Sequence, residues 1–276
     1  MPANAGKRGF LERSTSSFVD AMEHAFYAEN TAREDGLLQR LDPRAKLLGI
    51  LALIVPAAAA QNFGVIVGLF AIAVVLAALS RVPFGVLLKR VWVPVLLFTG
   101  VIALPAPFVT PGRAIYHLPA LGWSVTAQGL ASAGYLVLRA ETAASFCVLL
   151  VLTTPWNHVL KALRVLHVPA VLVAILGMTY RYLFLVLQSA HDMFESRRSR
   201  MIGQLTGGER RRVAASSAGV LMSKTFDLSS EVYLAMQSRG YRADVATLDE
   251  FQVLAFDWAM LGAFAVVSIT AFWLGR

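Results

Sequence analysis

Cysteine is all but absent: Cys147 stands alone, inside an apolar run. One thiol cannot close an internal disulfide or build a cysteine-rich metal site, so Cys147 is expected to pack as a small core hydrophobe. Charge is scarce too, at 15% of residues, where soluble domains carry about 25%. No GxxxxGK(S/T) loop is present to cradle phosphates, so any ATP-driven work needs an ATPase on another subunit. No HExxH pair and no GxSxG nucleophile elbow occur. The five histidines, His24, His117, His158, His167 and His191, are scattered, and none has another at i+3 or i+4. No metal-ligand set can be read from them. Residues 1–40 hold no apolar run of the kind that opens a cleavable signal peptide, and none is expected.

What is abundant is apolar side chain, 57% of the 276 residues. So much hydrocarbon with so little charge needs a second apolar solvent, and lipid supplies it. Spanning a bilayer takes about 20 mostly apolar helical residues. Five segments qualify: 45–64, 65–80, 92–108, 128–153 and 256–274. A sixth, 169–190, is apolar enough but ambiguous, with Arg181 its only charge.

Loop charge decides the ambiguity, because Lys and Arg collect on the cytoplasmic side. Arg40, Arg44 and Lys46 precede the first span, and Arg81, Lys89 and Arg90 follow the second. The turn between them has no charge, and the loop 109–125 has only Arg113. The N-terminus is therefore expected inside, and the fourth span exits to the cytoplasm near Pro155. If 169–190 crossed as well, nine cations from Arg197 to Arg242 would lie outside. The expected organisation is an interfacial or tail segment (1–40), four transmembrane helices (41–154), a cytoplasmic helical module (155–250) and a last transmembrane helix (251–276). The net charge of +8 then reflects cytoplasmic loops rather than a nucleic-acid partner. The fold class is all-α integral membrane, about five spans plus long cytoplasmic helices. In the first forty residues Phe18, Met22, Ala25 and Phe26 share one helical face, which suits either a helix lying on the bilayer or a plain polar tail.

Within the module, Thr153-Thr154-Pro155 opens a short helix to about Leu166. A second runs from Pro169 to Arg200. Gly203, Gly207 and Gly208 mark a loop, and a third ends at Arg239, with Gly240 placed as its C′ residue. Both long helices end in arginine among small residues: Ser196-Arg197-Arg198-Ser199-Arg200 and Ser238-Arg239-Gly240. Arginine complements a helix C-terminus and offers a planar fork that grips a carboxylate. Two such ends beneath a membrane bundle suit docking to a soluble partner. The other notable charges, Arg139 and Glu141, fall inside the fourth span, where an unpaired charge costs at least ~2.5 kcal/mol. Two residues apart, they do not face each other, so each needs a partner elsewhere in the bundle or in another subunit. The plainer reading is that they steady the bundle; the alternative is a membrane-embedded enzyme of lipid or isoprenoid chemistry. A self-sufficient channel or secondary carrier is disfavoured, since no paired broken helices or row of intramembrane charges is visible.

These pieces together resemble the transmembrane (T) component of energy-coupling factor transporters, in its CbiQ-like cobalt branch. The resemblance covers residues 41–274. Leu41-Asp42-Pro43-Arg44-Ala45-Lys46-Leu47 looks like the family's approach to its first span. Thr153-Thr154-Pro155 with Leu160, Ala162-Leu163, Leu166 and Val168-Pro169 looks like its first coupling helix, and Tyr180-Arg181-Tyr182 falls in its second. Ala235 to Tyr241 looks like its second Ala-Arg-Gly-type box, with Ser238 in place of alanine. For the first box either Ser196-Arg197-Arg198 or Ser199-Arg200-Met201 matches. The resemblance implies a non-catalytic subunit of a multi-pass protein of the bacterial inner membrane. The boxes would dock on two ABC-type ATPase subunits, which hold the ATP and Mg. Ile175, Met178 and Phe184 would hold a substrate-binding membrane subunit, with a small accessory membrane subunit as a further partner. No cofactor is expected on this chain. The cargo implied is Co2+, bound on the partner; nickel or a vitamin are the alternatives.

Overall fold

The structure, a computed structural model, describes residues 36–111, 114–118, 123–200, 206–241 and 255–275. The amphipathic face expected around Phe18 to Phe26, Arg113, Met201 and the segment 242–254 lie outside these. The chain divides into two compact units, and α-helix dominates both.

Of the described residues, the first unit holds those from Gly36 to Leu166 and the C-terminal helix. Its elements are α1 (Leu37–Arg40), α2 (Pro43–Ala59), α3 (Phe63–Leu79), α4 (Phe84–Leu87), a π-helical segment π1 (Leu88–Trp92), α5 (Val93–Ala103), α6 (Ala106–Val109), the strands β1 (Ala114–Leu118) and β2 (Trp123–Thr126), α7 (Ala127–Thr153), α8 (Trp156–Val165) and α11 (Ala255–Gly275). The second unit holds α9 (Ala170–Arg200) and α10 (Gly207–Ser238).

Local chemistry explains the starts. Asp42 caps α2 by accepting from the Arg44 amide, with Pro43 in the first turn, whose missing N–H is no loss there. Asn62 caps α3, and Thr126 caps α7 by accepting from the Gly129 amide. Helices α2 and α3 are 17 residues each, about 26 Å long at 1.5 Å per residue, just under the ~30 Å hydrocarbon thickness. The first two expected spans are thus present but end earlier, at Ala59 and Leu79, around a turn in which the Gln61 amide donates to the Gly275 carbonyl at 2.6 Å.

Among the described residues, four stretches are long and apolar enough to cross a membrane: Phe84–Val109, Ala127–Thr153, Ala170–Arg197 and Ala255–Gly275. The third expected span begins eight residues earlier than its hydropathy suggests. Lys89 and Arg90, read as loop cations, lie in π1 within that continuous stretch. The loop expected at 109–125 contains an antiparallel hairpin of β1 and β2. The whole is an all-α membrane protein carrying this one small hairpin among the described residues.

The core of the first unit is built where α2, α3, α7 and α11 meet. Ile50, Leu53, Leu69, Phe146, Leu149 and Phe264 are buried there. The most extensive contact is between α2 and α11, and small residues permit it. A Cβ on Gly49 would stand 2.3 Å from the Phe264 ring, so only glycine allows this approach. Helix α8 packs on α2, which places residues 155–166 with the membrane bundle rather than with the helices that follow.

In the second unit α9 and α10 cross antiparallel. They meet around Leu185, Val186 and Arg197 on one side and Ser216, Leu221 and Leu228 on the other. Gly207 and Gly208, expected in a loop, are the first residues of α10. Thr206 and Glu209 explain this. The Thr206 hydroxyl caps the Glu209 amide, and the Glu209 carboxylate accepts from the Thr206 amide at 2.8 Å, a capping box strong enough to start a helix on two glycines.

Candidate functional site

The two arginine-bearing ends differ in how they are built. At α10 the Gly240 amide donates to Gln237 O at 3.0 Å and the Tyr241 amide to Met236 O at 3.1 Å. With φ of +70° at Gly240, this is a Schellman closure, which only glycine adopts without strain. It fixes Arg239 as the C-cap residue, exposed together with Ser238 and Gly240. At α9 the arginines part ways. Arg197 turns onto α10, donating from Nη1 to Ser216 Oγ at 3.2 Å. Arg200 is exposed at the helix end, as are Ser196 and Ser199, and the Arg198 side chain lies outside the described residues. Because the helices run antiparallel from their crossing, Arg200 and Arg239 leave it in opposite directions. They stand at two separate places rather than on one surface.

Of the residues expected to hold a membrane partner, Ile175 is 53% exposed. Met178 is half-buried, and Phe184 is half-buried with its ring edge-on to Tyr180 at 5.1 Å. No residue in the most apolar part of α9 is buried, so that part presents hydrocarbon, while Ala190 and Phe194 farther along are buried.

Arg139 and Glu141 do separate, as their spacing requires. Arg139 Nη2 donates to the carbonyl of Ala60, the C-cap of α2, and its guanidinium lies 5.8 Å from the Tyr135 ring centroid. A cation on the carbonyl end of a helix complements its dipole. This moves Arg139 away from mid-membrane, where the sequence suggested it, to the level of the α2–α3 turn. The reason is length: α7 has 27 residues against 17 for α2 and overshoots it. Glu141 is buried, and neither carboxyl oxygen meets a donor among the described residues. Its own backbone carbonyl accepts from Ser145 Oγ, which in turn accepts from Trp92 Nε1 at 3.1 Å, tying α7 to π1.

A second polar cluster was not legible as such. Lys46, counted as one more loop cation, is 1% exposed. Its Nζ donates to the Thr153 carbonyl at 2.8 Å, at the last residue of α7. Nearby in the chain, the Asp42 amide donates to Asp257 Oδ1 at 2.8 Å, which joins α11 to the start of α2. Asp257 is buried in the first turn of α11. These partners are 107 and 215 residues apart, so no local pattern announces them. The only sequence signals are a lysine just inside a span and an aspartate just inside another. Helices α2 and α7 are antiparallel, and each offers a cation to the C-terminal carbonyl end of the other: Lys46 to Thr153, Arg139 to Ala60. The two anchors lie fourteen residues apart on both helices, about 21 Å, so they fix one register. Among the described residues no three His, Cys, Asp or Glu side chains converge.

Comparison with known proteins agrees with this architecture. The family model for the cobalt transport protein CbiQ matches residues 35–247. An uncharacterized protein of Methanocaldococcus jannaschii is 33% identical over 91% of this chain and 87% of its own length. The cobalt transport protein CbiQ of Rhodobacter capsulatus is 29% identical over 56% of this chain and 64% of its own. The energy-coupling factor transporter transmembrane protein of Listeria innocua is 26% identical over 86% of this chain and 93% of its own. The chain belongs to the CbiQ family of cobalt transport proteins and is a CbiQ-like transmembrane component of the energy-coupling factor type.

Proposed function

We propose that this subunit converts the nucleotide cycle of two ABC-type ATPase subunits into movement of a substrate-binding membrane subunit, with Co2+ as the cargo. The observation that carries the proposal is the Schellman-closed end of α10, which presents Arg239 outward on a rigid 32-residue rod. A guanidinium so placed can reach a carboxylate in a partner's groove with both of its parallel donors. Arg200 offers a second, separate point, which suits two ATPases rather than one. With Arg197 engaged by Ser216, the triplet Ser199-Arg200-Met201 is the better candidate for the first box. The apolar face of α9 around Ile175 is the contact for the substrate-binding subunit. Cobalt as cargo rests on the family description and on the Rhodobacter capsulatus relative. The subunit itself performs no catalysis; ATP and Mg belong to the ATPases, and the metal to the binding subunit. The protein lies in the cytoplasmic membrane with its N-terminus inside, as the loop charges favour.

The test is co-purification. Arg239→Glu and Arg200→Glu place a carboxylate where the partner's carboxylate is expected, so each should abolish recovery of the ATPases while the subunit stays in the membrane. Undiminished recovery by the double variant would overturn the docking role. Uptake of radioactive Co2+, Ni2+ or vitamins by the assembled complex separates the cargoes.

A further inference from the structure

The buried lysine at the start of α2 has a place in the force path, and this inference rests on the coupling function just proposed. Displacement of α9 can enter the first unit through α8, because only Leu166 to Pro169 separate the two helices. Upstream, α8 is joined to α7 through Thr154 and Pro155 alone. Thr154 is extended, with φ of −128° and ψ of 115°, so it passes no helical hydrogen bonding onward. Such a corner is a natural place for motion to be lost: pulling on α8 would unwind the last turn of α7, whose final carbonyls have no helical partner. The structure places one donor against that weak point. Lys46 Nζ reaches the Thr153 carbonyl at 2.8 Å in a fully buried setting, and α2, which carries Lys46, also packs on α8. At the same end of α2, Asp42 is held by Asp257 of α11.

We propose that Lys46 is a positioning residue for energy coupling: its ammonium clamps the α7–α8 corner to α2, so α8, α2 and α11 move together when the second unit is driven. Lysine suits the task because its Nζ donates to a last-turn carbonyl that has no helical partner. Its long stem also packs among apolar neighbours.

The experiment compares wild type, Lys46→Met and Lys46→Arg as full-length subunits assembled with their partners in liposomes. Met keeps the length and loses the donor; Arg restores a charged donor. For Lys46→Met, recovery of the ATPases and ATP hydrolysis should stay within about twofold, while substrate uptake per ATP hydrolysed falls at least about tenfold, the factor expected on losing one charge-assisted hydrogen bond. Lys46→Arg should regain most of the ratio. An unchanged uptake-to-hydrolysis ratio in Lys46→Met would overturn the proposal, whereas a merely structural defect would lower recovery and hydrolysis along with uptake. Lys46→Leu, which also lacks a donor, replaces the Met variant if the latter does not accumulate. If wild type itself fails to hold the ATPases, the coupling function has failed, and the clamp is judged by hydrogen exchange of the subunit in nanodiscs. Amides around 150–156 should then exchange at least about tenfold faster without the lysine donor; equal rates would sink the clamp too.

Discussion

At the scale of single residues, the bundle is held by small groups matched to backbone needs. Pro56 lies inside α2 and cannot donate to the carbonyl four residues back, that of Ala52. Ser268 of α11 supplies the missing donor, its Oγ 2.6 Å from that oxygen. In lipid an orphaned carbonyl has no water to turn to. Ser268→Ala should therefore destabilise the subunit by about 1 to 2 kcal/mol, and Ser268→Thr, which keeps the hydroxyl, by much less. Thermal unfolding in detergent reads the difference. Gly49→Ala places a methyl group against Phe264 and should cost about 1 to 3 kcal/mol through overpacking. A Phe264→Leu change in the same molecule should recover part of that. Neither pairing could be read from the sequence, because partners over 200 residues apart leave no periodic trace. Arg239 was legible for the opposite reason: its setting is local, a helix end followed by glycine. Lys46 was visible but misassigned. A cation just inside a span looks the same whether it faces cytoplasmic water or a carbonyl in the bundle.

At the scale of elements, hydropathy located the membrane helices, and the errors cluster where local geometry departs from a plain helix. The π1 segment carries Lys89 and Arg90 inside a continuous helical stretch, which a charge-based boundary cuts short. The start of α10 was taken for a loop because Gly207 and Gly208 outweighed Thr206 and Glu209 in a residue-by-residue reading. The capping box reverses that balance, and it makes the N-terminus of α10 sensitive to acid. Hydrogen bonds from the Thr206 amide, and then from its hydroxyl, hold the Glu209 carboxyl below its usual range. A depressed native value means the carboxylate form is favoured by folding. Its contribution is complete above the unfolded value near 4.5 and lost as pH falls through the lower native one. Amide exchange over residues 207–212, corrected for intrinsic rates, should therefore accelerate as the solution is taken below about pH 4. Glu209→Gln should show weaker protection at neutral pH and no acid transition. An acid transition that persists in Glu209→Gln would assign it to another group.

At the scale of the molecule, the question is which helices lie in the bilayer, and length alone does not answer it. Helix α9 satisfies the length and apolarity of a span as well as α7 does, yet it leads into Arg197, Arg198, Arg200, Arg210, Arg211, Arg212 and Lys224. Moving so many cations to the outer face runs against the bias that orients membrane proteins. The alternative is that α9 lies on or against the membrane, its exposed hydrocarbon covered by lipid or a partner. Impermeant thiol labelling separates the two. The native Cys147, expected in the core, is instead exposed and must first be replaced, by Cys147→Ala. In that background Asn62→Cys, in the turn between α2 and α3, should react in intact cells. Ser238→Cys, beside Arg239, should react only when the cytoplasmic face is opened. Arg181→Cys, at the one charged position of the apolar stretch, should react from that same face if α9 is not a span, and from neither face if it is. Reaction of Ser238→Cys in intact cells would place Arg239 outside, beyond reach of any ATPase, and the coupling function would fall with it.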